Sequence, residues 1–160
     1  MKYFFIISIF LLFFTGCSEK NAFVKFKMSK DEEQSVSSLQ TSQIKFKNAE
    51  IAGVISAVYL NEIYPERFKE YDSFFVYIYM KDSKNTDSIN PKINLEMNEA
   101  IPKNITELSS NNEFTHLVDI KSSWNRYYLV EFEKDCNTLN LTFDNGLSMS
   151  SVLKYIKGDQ

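Results

Sequence analysis

The chain has 160 residues, with 18 Lys and Arg against 21 Asp and Glu, a single His and a net charge of −3. Four Gly and three Pro beside 14 Phe and 9 Tyr exclude collagenous, elastic and Pro-rich disordered classes, and the length suits one domain. There is no Lys/Arg stripe of the kind that neutralises phosphates, so nucleic acid is not an expected partner.

Lys2 precedes an apolar run from Tyr3 to Phe14, broken only by Ser8, and Thr15, Gly16 and Cys17 follow. A charged start, an apolar core and a small-residue exit read as a secretory signal peptide over residues 1–16. As a helix this run rises only about 18 Å, at about 1.5 Å per residue, against a hydrocarbon core about 30 Å thick. A permanent transmembrane helix is therefore disfavoured.

The exit, Leu11, Leu12, Phe13, Phe14, Thr15, Gly16 and Cys17, resembles the lipobox of bacterial lipoproteins, with Phe14 where that family usually has an aliphatic residue. The resemblance covers the leader alone. It implies that acyl chains such as palmitate are attached at Cys17, which becomes the N-terminus, and that the membrane is a partner through this lipid. Several chains, at about 0.8 kcal/mol per buried methylene, hold far more firmly than one. Ser18 rather than Asp after the cysteine implies the outer membrane, facing periplasm or cell surface.

From Glu19 to Ser42, serines and threonine alternate with Lys30, Asp31, Glu32, Glu33 and Gln34. So polar a run buries too little apolar surface to offset its ordering entropy, and residues 17–42 read as a lipidated cysteine and flexible tether. Within it, Val24, Phe26 and Met28 alternate with Lys25 and Lys27, the pattern of a short edge strand.

Residues 43–160 read as the folded domain, and period 2 dominates them. Ile44 to Leu60 predicts one or two strands, and Pro65 starts a short helical turn. Phe74 to Met80 is apolar on both faces: Phe74, Val76, Ile78 and Met80 on one, Phe75, Tyr77 and Tyr79 on the other. Such a strand belongs at a sheet centre. Lys81 to Asn90 is a polar loop, Lys92 to Met97 alternates, and the pattern weakens after Pro102. A short apolar segment runs from Phe114 to Ile120, and Arg126 to Glu133 sets Tyr128, Val130 and Phe132 on one side. Leu139, Leu141 and Phe143 alternate next, and after the turn residues Asp144, Asn145 and Gly146 a strand returns over Leu147 to Ile156. About seven strands with short polar connections and no crossover helix predict an all-β antiparallel sandwich, immunoglobulin-like or transthyretin-like.

Few residues offer chemistry. With Cys17 acylated, Cys136 has no partner, so no internal disulfide is expected and Cys136 reads as a small half-buried residue. His116 stands near Asp119 with Ser109, Ser110, Ser122 and Ser123, but without the Gly-x-Ser-x-Gly elbow of a hydrolase. One His and one free Cys make no zinc cluster. Asp82, Asn85 and Asp87 share a loop lacking the glycine and distal glutamate of an EF-hand, so it reads as a turn. No catalytic residue, metal or cofactor is expected.

The partner-binding candidates are Tyr77, Tyr79, Trp124, Arg126 and Tyr127, because Tyr, Trp and Arg are the side chains that concentrate binding energy at interfaces; core packing is the competing role of such rings. The expectation is a non-enzymatic, membrane-anchored lipoprotein whose sandwich binds an envelope or host protein or supports envelope assembly. One alternative is an accessory lipoprotein of a secretion machine; the small lipoprotein of the type VI system has a similar plan, though its loop motifs are not seen here. Another is an inhibitor or hydrolase acting on cell-wall or host molecules, with Lys81 to Asn90 as the inserting loop.

Overall fold

The computed structural model describes residues 29–81, 95–118, 122–134 and 137–157. The leader, Cys17, the Phe23 to Met28 alternation, the acidic loop residues Asp82, Asn85 and Asp87, and Cys136 lie outside the described residues.

The part of the expected tether from Ser29 onward is folded instead. Helix α1 (Lys30–Ser38) starts at a capping box: the Ser29 hydroxyl accepts the Glu32 N–H at 3.3 Å, and the Glu32 carboxylate accepts the Ser29 N–H at 2.6 Å. The chain continues without a break into strand β1 (Leu39–Phe46) and turns into β2 (Ile51–Tyr59). Helix α2 (Leu60–Ile63) comes before Pro65 rather than after it, because the Tyr64 N–H closes on the Leu60 carbonyl. The turn expected at Pro65 follows, with Arg67 and Phe68 N–H groups donating to the Tyr64 carbonyl at 3.0 and 3.2 Å.

Strands β3 (Tyr71–Met80), β4 (Leu95–Met97), β5 (Asn104–Leu108), β6 (Arg126–Glu133), β7 (Thr138–Phe143), β8 (Ser148–Ser150) and β9 (Leu153–Ile156) complete two antiparallel sheets. The larger runs β5-β6-β3-β2-β1-β8, the smaller β4-β7-β9. The all-β sandwich is as the alternation predicts, with nine strands among the described residues rather than seven. The return strand expected over Leu147 to Ile156 is two strands in different sheets: β8 pairs with β1, and β9 pairs with β7.

β3 sits between β2 and β6, and each of its apolar faces is covered. Phe74, Val76 and Ile78 enter the core between the sheets with Tyr128, Val130, Phe132, Leu139, Leu141 and Phe143. Phe75 and Tyr77 enter a second core on the outer face of the large sheet, roofed by α1, α2 and a single 3-10 turn at Thr115–Leu117. At roughly 25 cal/mol per Å² of apolar surface, two buried faces explain why β3 carries no polar side from Phe74 to Ile78.

One side of the sandwich is latched by side chains. The Gln40 amide both accepts the Lys154 N–H at 2.8 Å and donates to the Lys154 carbonyl, acting as a one-residue strand on the free edge of β9. The Ser42 hydroxyl accepts the Ser151 N–H at 3.0 Å beside it. Covering an edge in this way removes a template for unwanted strand pairing. Gly53 is required where β2 passes β3, since a Cβ there would collide with the Tyr79 carbonyl oxygen.

Candidate functional site

Two concave regions lie at opposite ends of the sandwich. At the end where β2 finishes and β3 begins, a cleft of about 570 Å³ opens beside Tyr59, Asn61, Asp72, Lys134, Asn137 and Lys157. Asp72 is fully buried, and its two carboxylate oxygens are both engaged. One accepts the Tyr59 hydroxyl at 2.7 Å and the other the Lys157 ammonium at 2.9 Å. Burial, reinforced by the hydrogen bond to Asp72, raises the Tyr59 hydroxyl well above the ordinary tyrosine range. The Asn61 amide donates to the Phe68 and Tyr71 carbonyls at 2.6 and 2.7 Å, and its oxygen accepts the Ser73 N–H at 2.8 Å. These groups fasten α2 and Lys157, the residue after β9, to the start of β3. Their polar atoms face one another, so this cleft is a structural clasp.

At the other end the β1–β2 turn lies beside the β7–β8 turn, and a cleft of about 430 Å³ opens between them. Phe46 and Ala49 line it from one side, and Gly146, Leu147 and Met149 from the other, with Lys45 and Lys47 at the rim. Leu147 is 66 % exposed and Met149 57 %. The Ala49 N–H donates to the Phe46 carbonyl at 2.9 Å, and Ala49 adopts a φ of 66°, a left-handed conformation normally given to glycine or asparagine. Asp144 is tied by its carboxylate to the Gly146 N–H at 2.7 Å. Among the described residues, Lys45 and Lys47 form no ion pair.

The aromatic candidates are divided by the sheet. Tyr77 and Tyr127 are buried in the outer core, with ring centroids 6.3 Å apart, which makes them packing residues rather than partner contacts. The Tyr127 hydroxyl is further held by Ser122, accepting its N–H at 3.1 Å and donating to its carbonyl at 3.0 Å. Tyr79 and Trp124 are exposed, Trp124 at 73 %. Arg126, one residue from Tyr127, points to the opposite face by strand alternation. Its guanidinium lies 5.6 Å from the Tyr128 ring centroid and binds Glu107 at 3.2 Å. Burial pushes the Tyr128 hydroxyl up to about 12, and it has no hydrogen-bond partner among the described residues.

His116 meets Tyr64 rather than a serine: the Tyr64 hydroxyl lies 3.1 Å from its Nε2. Burial, with Asp31 adding to it, pushes that hydroxyl up to about 12. Arg67 and Glu113 form a bidentate pair at 2.7 Å nearby, and the Arg67 hydrogen bond holds the Glu113 carboxyl below its ordinary range. No group of three His, Cys, Asp or Glu able to hold a metal occurs among the described residues, and no described helix is long and apolar enough to cross a membrane.

The second cleft was not legible in the sequence, because residues 45–49 and 146–149 are distant in the chain. Its one local signal is the run of exposed apolar positions, Leu147 and Met149, beside the turn glycine Gly146. No family model, curated protein or solved structure matches this chain.

Proposed function

We propose that this protein is a lipid-anchored bacterial envelope lipoprotein, held through Cys17, whose β-sandwich is a non-enzymatic binding module for a protein partner. The observation that carries the binding reading is the open-end cleft, where Leu147 and Met149 stay exposed beside two lysines that form no ion pair among the described residues. Apolar side chains exposed at a concave site offer a partner's apolar side chain a place to leave water. The leader ending in Gly16 and Cys17 supports the anchor, and Ser18 supports the outer membrane.

The test is crosslinking and affinity capture of the full chain from its native cell, with labelled palmitate, beside a Cys17→Ala control. The expected result is palmitate on the wild type only and a specific envelope partner that is lost with the anchor. An unacylated wild type overturns the anchoring, and an acylated wild type that captures no partner overturns the binding role.

A further inference from the structure

We propose that the open-end cleft receives an acidic peptide segment of a partner protein, seating one apolar side chain between the two turns while its flanking carboxylates meet Lys45 and Lys47. This rests on the binding function proposed above and gives it a site and a chemistry.

Three features support it. Phe46, half-buried and packed against the inner core, anchors the apolar lining, and at about 430 Å³ the space suits one or two large side chains. Met149 stands directly across from Lys45 in the β1–β8 pairing, so an unbranched, adaptable thioether lies beside a cation. The lysines outnumber the lining carboxylate, Asp144, which already accepts the Gly146 N–H. An apolar hollow rimmed by two exposed lysines, neither in an ion pair among the described residues, is complementary to an apolar residue between acids, and such rim charges set partner choice and association rate. A flat bilayer surface would rest on the two turns without filling the hollow, which favours a peptide.

The experiment uses the acylated full-length protein in nanodiscs of zwitterionic lipid. Two fluorescein-labelled decapeptides are the probes, one with Phe-Leu flanked by Asp and Glu, the other with the same pair flanked by Lys. Fluorescence anisotropy should show the acidic probe binding about fivefold more tightly, the effect of two exposed charge contacts. Lys45→Glu with Lys47→Glu should invert that preference, and Leu147→Ser with Met149→Ser should weaken both probes. The milder Lys47→Gln, which removes the charge but keeps an unbranched polar side chain, should reduce the preference and guards against a variant that misfolds.

A preference untouched by the reversal, or binding untouched by the serine pair, overturns the proposal. Phosphatidylglycerol vesicles that displace the acidic probe from the wild type and themselves bind through Lys45 and Lys47 assign the face to a membrane and also overturn it. A native partner captured equally by the wild type and the Lys45→Glu/Lys47→Glu protein removes this cleft from the interaction and leaves the binding function standing. No captured partner together with no bound probe overturns both.

Discussion

The two ends of the sandwich treat polar and apolar groups in opposite ways. At the clasp end, Tyr59, Asn61, Asp72 and Lys157 satisfy one another, and the apolar rings around them are buried. At the open end the hydrogen bonds only shape two turns, while Lys45, Lys47, Leu147 and Met149 are left to solvent. The clasp end holds the two sheets together, and removing one of its members exposes unmatched charge to a low-dielectric interior. At the open end Leu147 and Met149 are already mostly in water, so exchanging them costs little burial. A left-handed alanine at Ala49 fits that division: backbone strain is tolerated where surrounding structure holds it, and commonly at functional sites.

The contrast can be broken first at Asp72. Asp72→Ala leaves the Lys157 ammonium and the Tyr59 hydroxyl without their acceptor and should lower unfolding stability by about 3 kcal/mol, read from urea denaturation. A loss below about 1 kcal/mol would show that the clasp does not hold this end.

Alkaline pH should attack the same end. Burial raises the Tyr59 and Tyr155 hydroxyls above their unfolded value of about 10. Because the folded state keeps these protons, their stabilisation is complete below about pH 10 and is lost as pH climbs above it, by about 1.4 kcal/mol per unit for each tyrosine. Tyr59→Phe should flatten that decline in denaturant midpoints followed from neutral to alkaline pH. An unchanged slope would mean that Tyr59 is not shielded in solution.

At the open end the expected effects are smaller and of different sign. Ala49→Gly relieves the left-handed strain and should stabilise by about 1 kcal/mol, seen as a raised thermal midpoint. Leu147→Ser and Met149→Ser should stay within about 0.5 kcal/mol of wild type, since both side chains are already mostly in water. A large destabilisation by either would place these residues in the core and dissolve the contrast between the ends.

Where the chain was readable, the reason is periodicity coupled to burial. β3 and β6 announce themselves because every inward position is apolar and the inner core accepts all of them. β5 shows no alternation because four of its five residues are exposed and Leu108 alone packs against the outer core. Helix α1 was mistaken for tether because it buries two serines instead of apolar residues. The Ser35 hydroxyl donates to the Leu117 carbonyl at 2.5 Å, and the Ser38 hydroxyl accepts the Tyr59 N–H at 3.1 Å, so small polar groups do the packing. The Ser29-to-Glu32 capping box was the local signal that could have revealed this helix. Of the aromatic candidates, burial removed Tyr77 and Tyr127, because rings suited to an interface are equally suited to a core.

By itself the sequence determined the all-β class, the central strand and the turn at Asp144 to Gly146, because these follow from side-chain alternation and local backbone preference. The tertiary structure alone decided that Asp72 meets Lys157, 85 residues away, and that the β1–β2 and β7–β8 turns enclose one cleft. Such sites are built from contacts between distant segments, whose pairing is set by the registers of whole sheets rather than by any residue's neighbours in the chain.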